Sequence, residues 1–123
     1  DLETMSLNNA YLENRKIFTT GEDGYSVYGP YIPMNKGKYK AIIDVELLEN
    51  TNNSDTLFYV DIANKGGHQI NKIEVLKEDI NENQVNMSFP FKLDEDVSDF
   101  EIRFFMNDGV IIGVKSIEIK DES

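Results

Sequence analysis

The sequence predicts an all-β fold, an antiparallel two-sheet β-sandwich of jelly-roll topology with about eight strands, and three observations carry that prediction. Apolar and polar residues alternate in short runs, as half-buried strands require; polar turn sequences separate the runs; and no stretch repeats its apolar residues with helical spacing. With no helix to cover a sheet face, each sheet has to bury its apolar side against another sheet.

The opening residues 1–14 read either as an irregular lead-in or as a first strand containing Leu2, Met5 and Leu7. Short strands follow at 15–19 and 25–28. The clearest alternation is at 39–48, where Tyr39, Ala41, Ile43, Val45 and Leu47 face one way and Lys40, Ile42, Asp44 and Glu46 the other. At 56–63, Phe58, Val60 and Ile62 point inward and Leu57, Tyr59 and Asp61 outward, and Asn64-Lys65-Gly66-Gly67 then signals a turn into a strand at 69–76. Residues 84–91 place Val85, Met87, Phe89 and Phe91 on one side, and Pro90, which has no N–H for a ladder, marks a sheet edge. Residues 99–106 turn Phe100, Ile102, Phe104 and Met106 inward, and Asn107-Asp108-Gly109 predicts a tight hairpin into a last strand at 110–119.

A chain of 123 residues with 40% hydrophobic content fills one core, so residues 1–123 form one domain. The 23 acidic residues outnumber 12 basic ones, and a net charge of -11 repels phosphate backbones and anionic lipid, which excludes nucleic acid and membrane as partners. The absence of cysteine removes disulfides and thiolate chemistry together. No segment approaches the roughly 18 apolar residues of a membrane span, and DLETMSLNNA lacks the basic start and apolar run of a signal peptide. The start at Asp1 points to an excised piece of a larger protein or to a naturally processed chain.

Sugar recognition needs aromatic surface against a pyranose ring and a few fixed polar groups for its hydroxyls. Tyr25, Tyr28 and Tyr31 cluster, Tyr59 lies on the outward side of its strand, and Arg103, Phe105 and Asn107 share the outward side of theirs. An arginine between aromatics suits bidentate contact with hydroxyls or a carboxylate. The competing structural roles are equally definite: tyrosines around Gly29-Pro30 can cover the end of the core, Arg103 can pair with an acid such as Asp44 or Glu101, and Asn107 is ordinary turn chemistry. His68, the single histidine, follows Gly66-Gly67 in a turn with no nucleophile motif beside it, so neither a triad nor a zinc site is expected. No glycine-rich phosphate loop precedes a helix, so no organic cofactor is expected; Asp94, Glu95, Asp96 and Asp99 read as a solvated loop.

Taken in order, Tyr28-Gly29-Pro30-Tyr31-Ile32-Pro33, Gly37-Lys38-Tyr39 at the start of a long strand, Phe100-Glu101-Ile102-Arg103-Phe104-Phe105 and the closing Val114-Lys115-Ser116-Ile117-Glu118-Ile119 resemble galactose-binding-like β-sandwich domains of the carbohydrate-binding-module type. That resemblance implies a non-catalytic accessory domain that holds a parent enzyme or surface protein on an oligo- or polysaccharide, outside the cell or at its surface, next to other domains of its parent. It also implies a structural calcium ion where the first and last strands meet, at Glu3 and Asp121. The alternative is a sandwich that joins proteins without touching sugar, through an apolar patch around Ile42 and Leu48.

Overall fold

A computed structural model describes residues 2–123; Asp1 lies outside the described residues. Ten strands are present: β1 (Ser6–Leu7), β2 (Ala10–Glu13), β3 (Lys16–Thr19), β4 (Gly24–Met34), β5 (Gly37–Asn50), β6 (Thr56–Asn64), β7 (His68–Leu76), β8 (Gln84–Leu93), β9 (Val97–Met106) and β10 (Val110–Asp121). They form two antiparallel five-stranded sheets, in the orders β1-β4-β9-β6-β7 and β2-β3-β10-β5-β8. The β-sandwich expected from the alternation is therefore present, with two more strands than expected. Both come from the ambiguous opening segment, where Leu2, Met5 and Leu7 pack against the core and β1 and β2 each add an edge to one sheet.

The core lies between the sheets and takes one residue in two from each central strand, as the two-residue period of a strand dictates. Ala41, Ile43 and Val45 of β5 face Val60 and Ile62 of β6 and Phe100, Ile102, Phe104 and Met106 of β9 in one cluster. Ring stacking extends it, with Phe58 on Phe104 at 6.2 Å and Phe91 on both Tyr39 and Phe100 at 5.5 and 5.7 Å. β8 with its Pro90 is the outer strand of its sheet, where a missing N–H leaves no ladder bond unmade.

Two expectations fail, each for a physical reason, and a third holds with an unexpected burial. Asn107-Asp108-Gly109 is not a hairpin within one sheet, because β9 and β10 belong to different sheets and do not pair. Its groups bond to β6 and to neighbouring loops instead: the Asn107 N–H donates to Leu57 O, the Gly109 N–H to Gly21 O, and the Thr51 N–H to Gly109 O. Leu57, expected outward, is fully buried, because the ladder to β7 shifts register between Thr56 and Phe58. Asp61 does face outward on its strand and is nonetheless fully buried, for reasons given below.

The Asn107 side chain also donates through Nδ2 to Thr56 O at 2.6 Å, so this one residue ties the crossover turn to β6 by backbone and amide. Asn107→Ala is expected to lower stability by about 1–2 kcal/mol in urea unfolding; a variant as stable as the parent would show that the turn is held by its other bonds alone.

Candidate functional site

The outer face of the β1-β4-β9-β6-β7 sheet collects most of the residues singled out from the sequence, and strand register places them in rungs. Tyr25, Phe105, Tyr59 and Glu74 lie side by side across β4, β9, β6 and β7; the next rung is Tyr28, Arg103, Asp61 and Lys72; the third holds Pro30, Glu101 and Ala63. Neighbours in a rung stand close enough for their side chains to touch, so the face is a continuous mosaic of phenols, a guanidinium and carboxylates.

Arg103 organises it. Its Nε donates to Asp61 Oδ1 at 2.8 Å and its Nη2 to Asp61 Oδ2 at 2.6 Å, a two-pronged pair across β9 and β6. Asp61 is 0% exposed and the arginine side chain 13% exposed, so the pair explains how a carboxylate survives desolvation on this face. The guanidinium lies 4.3 Å over the Tyr25 ring, and its proton is held more tightly than in a free arginine, first by the hydrogen bonds to Asp61. Arg103 therefore pairs with neither Asp44 nor Glu101; Asp44 sits in the other sheet beside Lys115.

The aromatic rung is self-packed. Tyr59 and Phe105 stack at 4.9 Å with 6° between their planes, Tyr25 meets Phe105 edge-on at 4.9 Å, the Tyr25 and Tyr59 hydroxyls share a hydrogen bond of 2.8 Å, and Lys72 Nζ stands 4.3 Å over Tyr59. Burial and the Tyr59 hydroxyl push the Tyr25 phenol well above its usual range. The ring faces of Tyr25, Phe105 and Tyr59 are thus occupied by one another and by two cations. They brace the face and offer it their edges.

Tyr28 and Tyr31 are placed differently. Gly29 has φ +120° and Tyr31 φ +61°, and the β4–β9 ladder shifts register between Pro30 and Ile32. A left-handed backbone is unusual for a bulky residue, and bulges of this kind re-aim side chains. The outcome is a Tyr31 side chain that leaves 47% of its surface exposed while its phenol meets the 5% exposed Glu101. That phenol is pushed up to about 12, first by its hydrogen bond to Glu101 and then by burial, and Tyr28 and Arg103 are near enough to act on it electrostatically. Tyr28, Tyr31, Glu101 and Arg103 converge as ring surface, hydroxyls, an acceptor carboxylate and a donor guanidinium. Arg103 Nη1, the nitrogen not used on Asp61, faces the β6–β7 turn, where a Cβ on Gly67 would lie 3.3 Å away.

Of the seven residues expected at a sugar site, six share this face. Asn107 stands past the end of β9 and donates its side-chain N–H to Thr56 O. Sequence reasoning passed over Glu101, named only as a partner for Arg103, and Asp61; their burial is invisible to an alternation pattern. The expected calcium pair does not converge: Glu3 lines a cleft with Ser116 and Ile117, whereas Asp121 lies four residues further along β10, about 13 Å at strand rise. Among the described residues no three His, Cys, Asp or Glu side chains group to hold a metal ion.

No family model matches the chain, and neither does any curated protein. Solved structures do. A carbohydrate-binding module (CBM6cm-2) from Cellvibrio mixtus lichenase 5A, in complex with cellotriose, aligns with TM-score 0.65 and 13% identity over 99% of this chain and 95% of that one. The CBM22-1 xylan-binding domain from Paenibacillus barcinonensis Xyn10C aligns with TM-score 0.54 and 16% identity, covering 95% and 78%. An arabinose-bound α-L-arabinofuranosidase, MgGH51, aligns with TM-score 0.65 and 13% identity over 97% of this chain and 23% of its own length. At such identities the likeness establishes the fold, a two-sheet β-sandwich that these carbohydrate-binding modules share.

The Asp61–Arg103 pair makes a quantitative expectation. Asp61→Asn leaves the guanidinium uncompensated in a nearly closed environment and is expected to cost about 3 kcal/mol. Removing both charges together, as Asp61→Asn with Arg103→Met, should cost less than that single change, and a double loss equal to the sum of the two single losses would show that the two residues are not coupled.

Proposed function

We propose that this chain is a non-catalytic carbohydrate-binding module whose outer β1-β4-β9-β6-β7 face holds an oligo- or polysaccharide, tethering a parent enzyme or surface protein outside the cell or at its surface. The observation that carries the reading is the convergence of Tyr28 and Tyr31 with Arg103 and Glu101. A sugar hydroxyl donates and accepts at once, and this cluster supplies a carboxylate to receive its proton, a guanidinium N–H to meet its oxygen, and phenol rings for the C–H face of the pyranose. The fold is shared with structures that carry cellotriose or bind xylan, and with a segment of a larger glycosidase, which supports the accessory role.

How the acids are used supports the non-catalytic reading. Hydrolysis of a glycoside needs two carboxyl groups free to exchange protons or attack carbon. Of the two buried acids on this face, Asp61 has both oxygens committed to Arg103 and Glu101 accepts a hydrogen bond from the Tyr31 phenol. The protein-joining alternative is less well supported: Ile42 stands between Ser88 and Glu118 in its sheet, so no apolar patch forms around it.

The test is retardation of the folded chain in gels containing laminarin, hydroxyethylcellulose, xylan or arabinogalactan, followed by calorimetry with the polymer that retards it. A dissociation constant of roughly micromolar to millimolar order is expected from so small a contact. Tyr28→Ala with Tyr31→Ala should weaken binding by at least about tenfold with little change in unfolding midpoint, since neither ring belongs to the stacked brace. Unchanged affinity in that double variant would reject this site, and absence of retardation by all four polymers would reject sugar binding.

A further inference from the structure

We propose a second ligand site, a cleft at one end of the sandwich between the free edges of β7 and β8, that takes a single neutral sugar unit. It does not rest on the sheet-face site, which faces away from it across the β6–β7 turn. β7 and β8 are the outer strands of the two sheets. Partway along their length a bond from Asn71 Nδ2 to Pro90 O, 3.1 Å, straps one edge to the other. Nearer the end the edges part to leave a cleft of about 300 Å³, lined by Asn64, His68, Gln69, Ile70, Leu93 and Val97 together with charged residues of the two adjoining loops.

Three features identify what it would hold. Asn64 is 5% exposed, and its Oδ1 is buried with no hydrogen-bond partner among the described residues. An unpaired buried amide oxygen is costly, and because Asn64 lines the cleft, a turn of its side chain toward a ligand donor would satisfy it. The charges at the rim satisfy each other: Lys65 pairs with Glu95 at 2.9 Å and Lys92 with Asp94 at 3.6 Å, so the cleft has no net charge with which to hold a phosphate or a metal ion. The remaining lining joins apolar Ile70, Leu93 and Val97 to the amide of Gln69, which matches a ring with one C–H face and a fringe of hydroxyls. An added peptide strand fits less well, because Pro90 has no N–H to offer and the Asn71 strap closes the gap between the edges.

The turn between the two sites is held rigidly. Asp99 accepts from the Lys65 N–H at 2.9 Å and from the Gly66 N–H at 3.2 Å, and these bonds, led by the one from Lys65, keep its carboxyl below the usual range. A polymer that engaged both the face and the end cleft would gain avidity by making its second contact intramolecular.

His68, the only histidine in the chain, stands at the cleft and supplies a single imidazole signal as a reporter. The experiment titrates the full chain with the methyl β-glycosides of glucose, xylose and galactose up to about 100 mM, a range suited to millimolar affinity, following the His68 ring protons and the Asn64 side-chain amide by NMR. A saturable shift at both is expected with at least one glycoside. It should persist in the Tyr28→Ala, Tyr31→Ala variant and weaken at least about tenfold in Asn64→Ala and in Gln69→Ala, each of which removes one hydrogen-bonding partner. Gln69 is solvent-exposed, so its variant remains informative if Asn64→Ala fails to fold. No saturable shift in folded protein would overturn the proposal, as would a shift lost with the two tyrosines or retained without Asn64 and Gln69.

Discussion

The outer face of the β1-β4-β9-β6-β7 sheet depends on one buried ion pair. Asp61 is sealed from water on a face that would otherwise be open, and Arg103 is both its counter-charge and its lid. Such a pair contributes little net stability over a well-packed apolar alternative, because both ions lose their hydration. What it does is fix geometry: two parallel N–H···O bonds leave the guanidinium no freedom to rotate, and the Tyr25 ring beneath it is set in turn. Tyr25 then reaches Tyr59 through a hydroxyl bond and Phe105 through its ring, so β4, β9 and β6 are locked side chain to side chain as well as by their backbones.

The opposite face of the molecule has no such centre. On the outer side of the β2-β3-β10-β5-β8 sheet, Lys16 meets Glu46 at 3.5 Å and Lys115 meets Asp44 at 3.7 Å, pairs that remain partly solvated and hold their side chains loosely. Tyr11 and Phe18 form an aromatic contact there at 5.5 Å. The two sheets thus divide the work: both bury one side in the common core, and one carries a rigid polar surface on its other side. Preorganisation of that kind is how a small contact area can still select a ligand, since less freedom is lost on binding.

Much of this was legible in the sequence, for a specific reason. Alternation reports which side of a strand a residue takes, so it assigns Phe58, Val60 and Ile62 to the core, Tyr59 to the outward side of one strand, and Arg103 and Phe105 to the outward side of another. It does not report which strands are neighbours. Alternation puts Asp61 on the outward side, but nothing local places Arg103 opposite it, forty-two positions away. The Asn107-Asp108-Gly109 turn read as a hairpin because turn chemistry is local, while the choice of sheet for β10 is made by its pairing with β3 and β5. Tyr28 and Tyr31 were picked out by type and clustering, but the backbone shift at Gly29 and Tyr31 that separates them from the stacked ring row has no counterpart in an alternation pattern.

The central claim, that sugar meets the face organised by Arg103 and Asp61, is tested most directly by mapping amide shifts of the isotope-labelled chain while cellohexaose and xylohexaose are added in turn. The account predicts that the largest changes fall at Tyr28, Tyr31, Glu101, Arg103 and Gly67, with the outer side of β5 and β10 unaffected. Changes concentrated on β5 and β10, or on Tyr11 and Phe18, would contradict it.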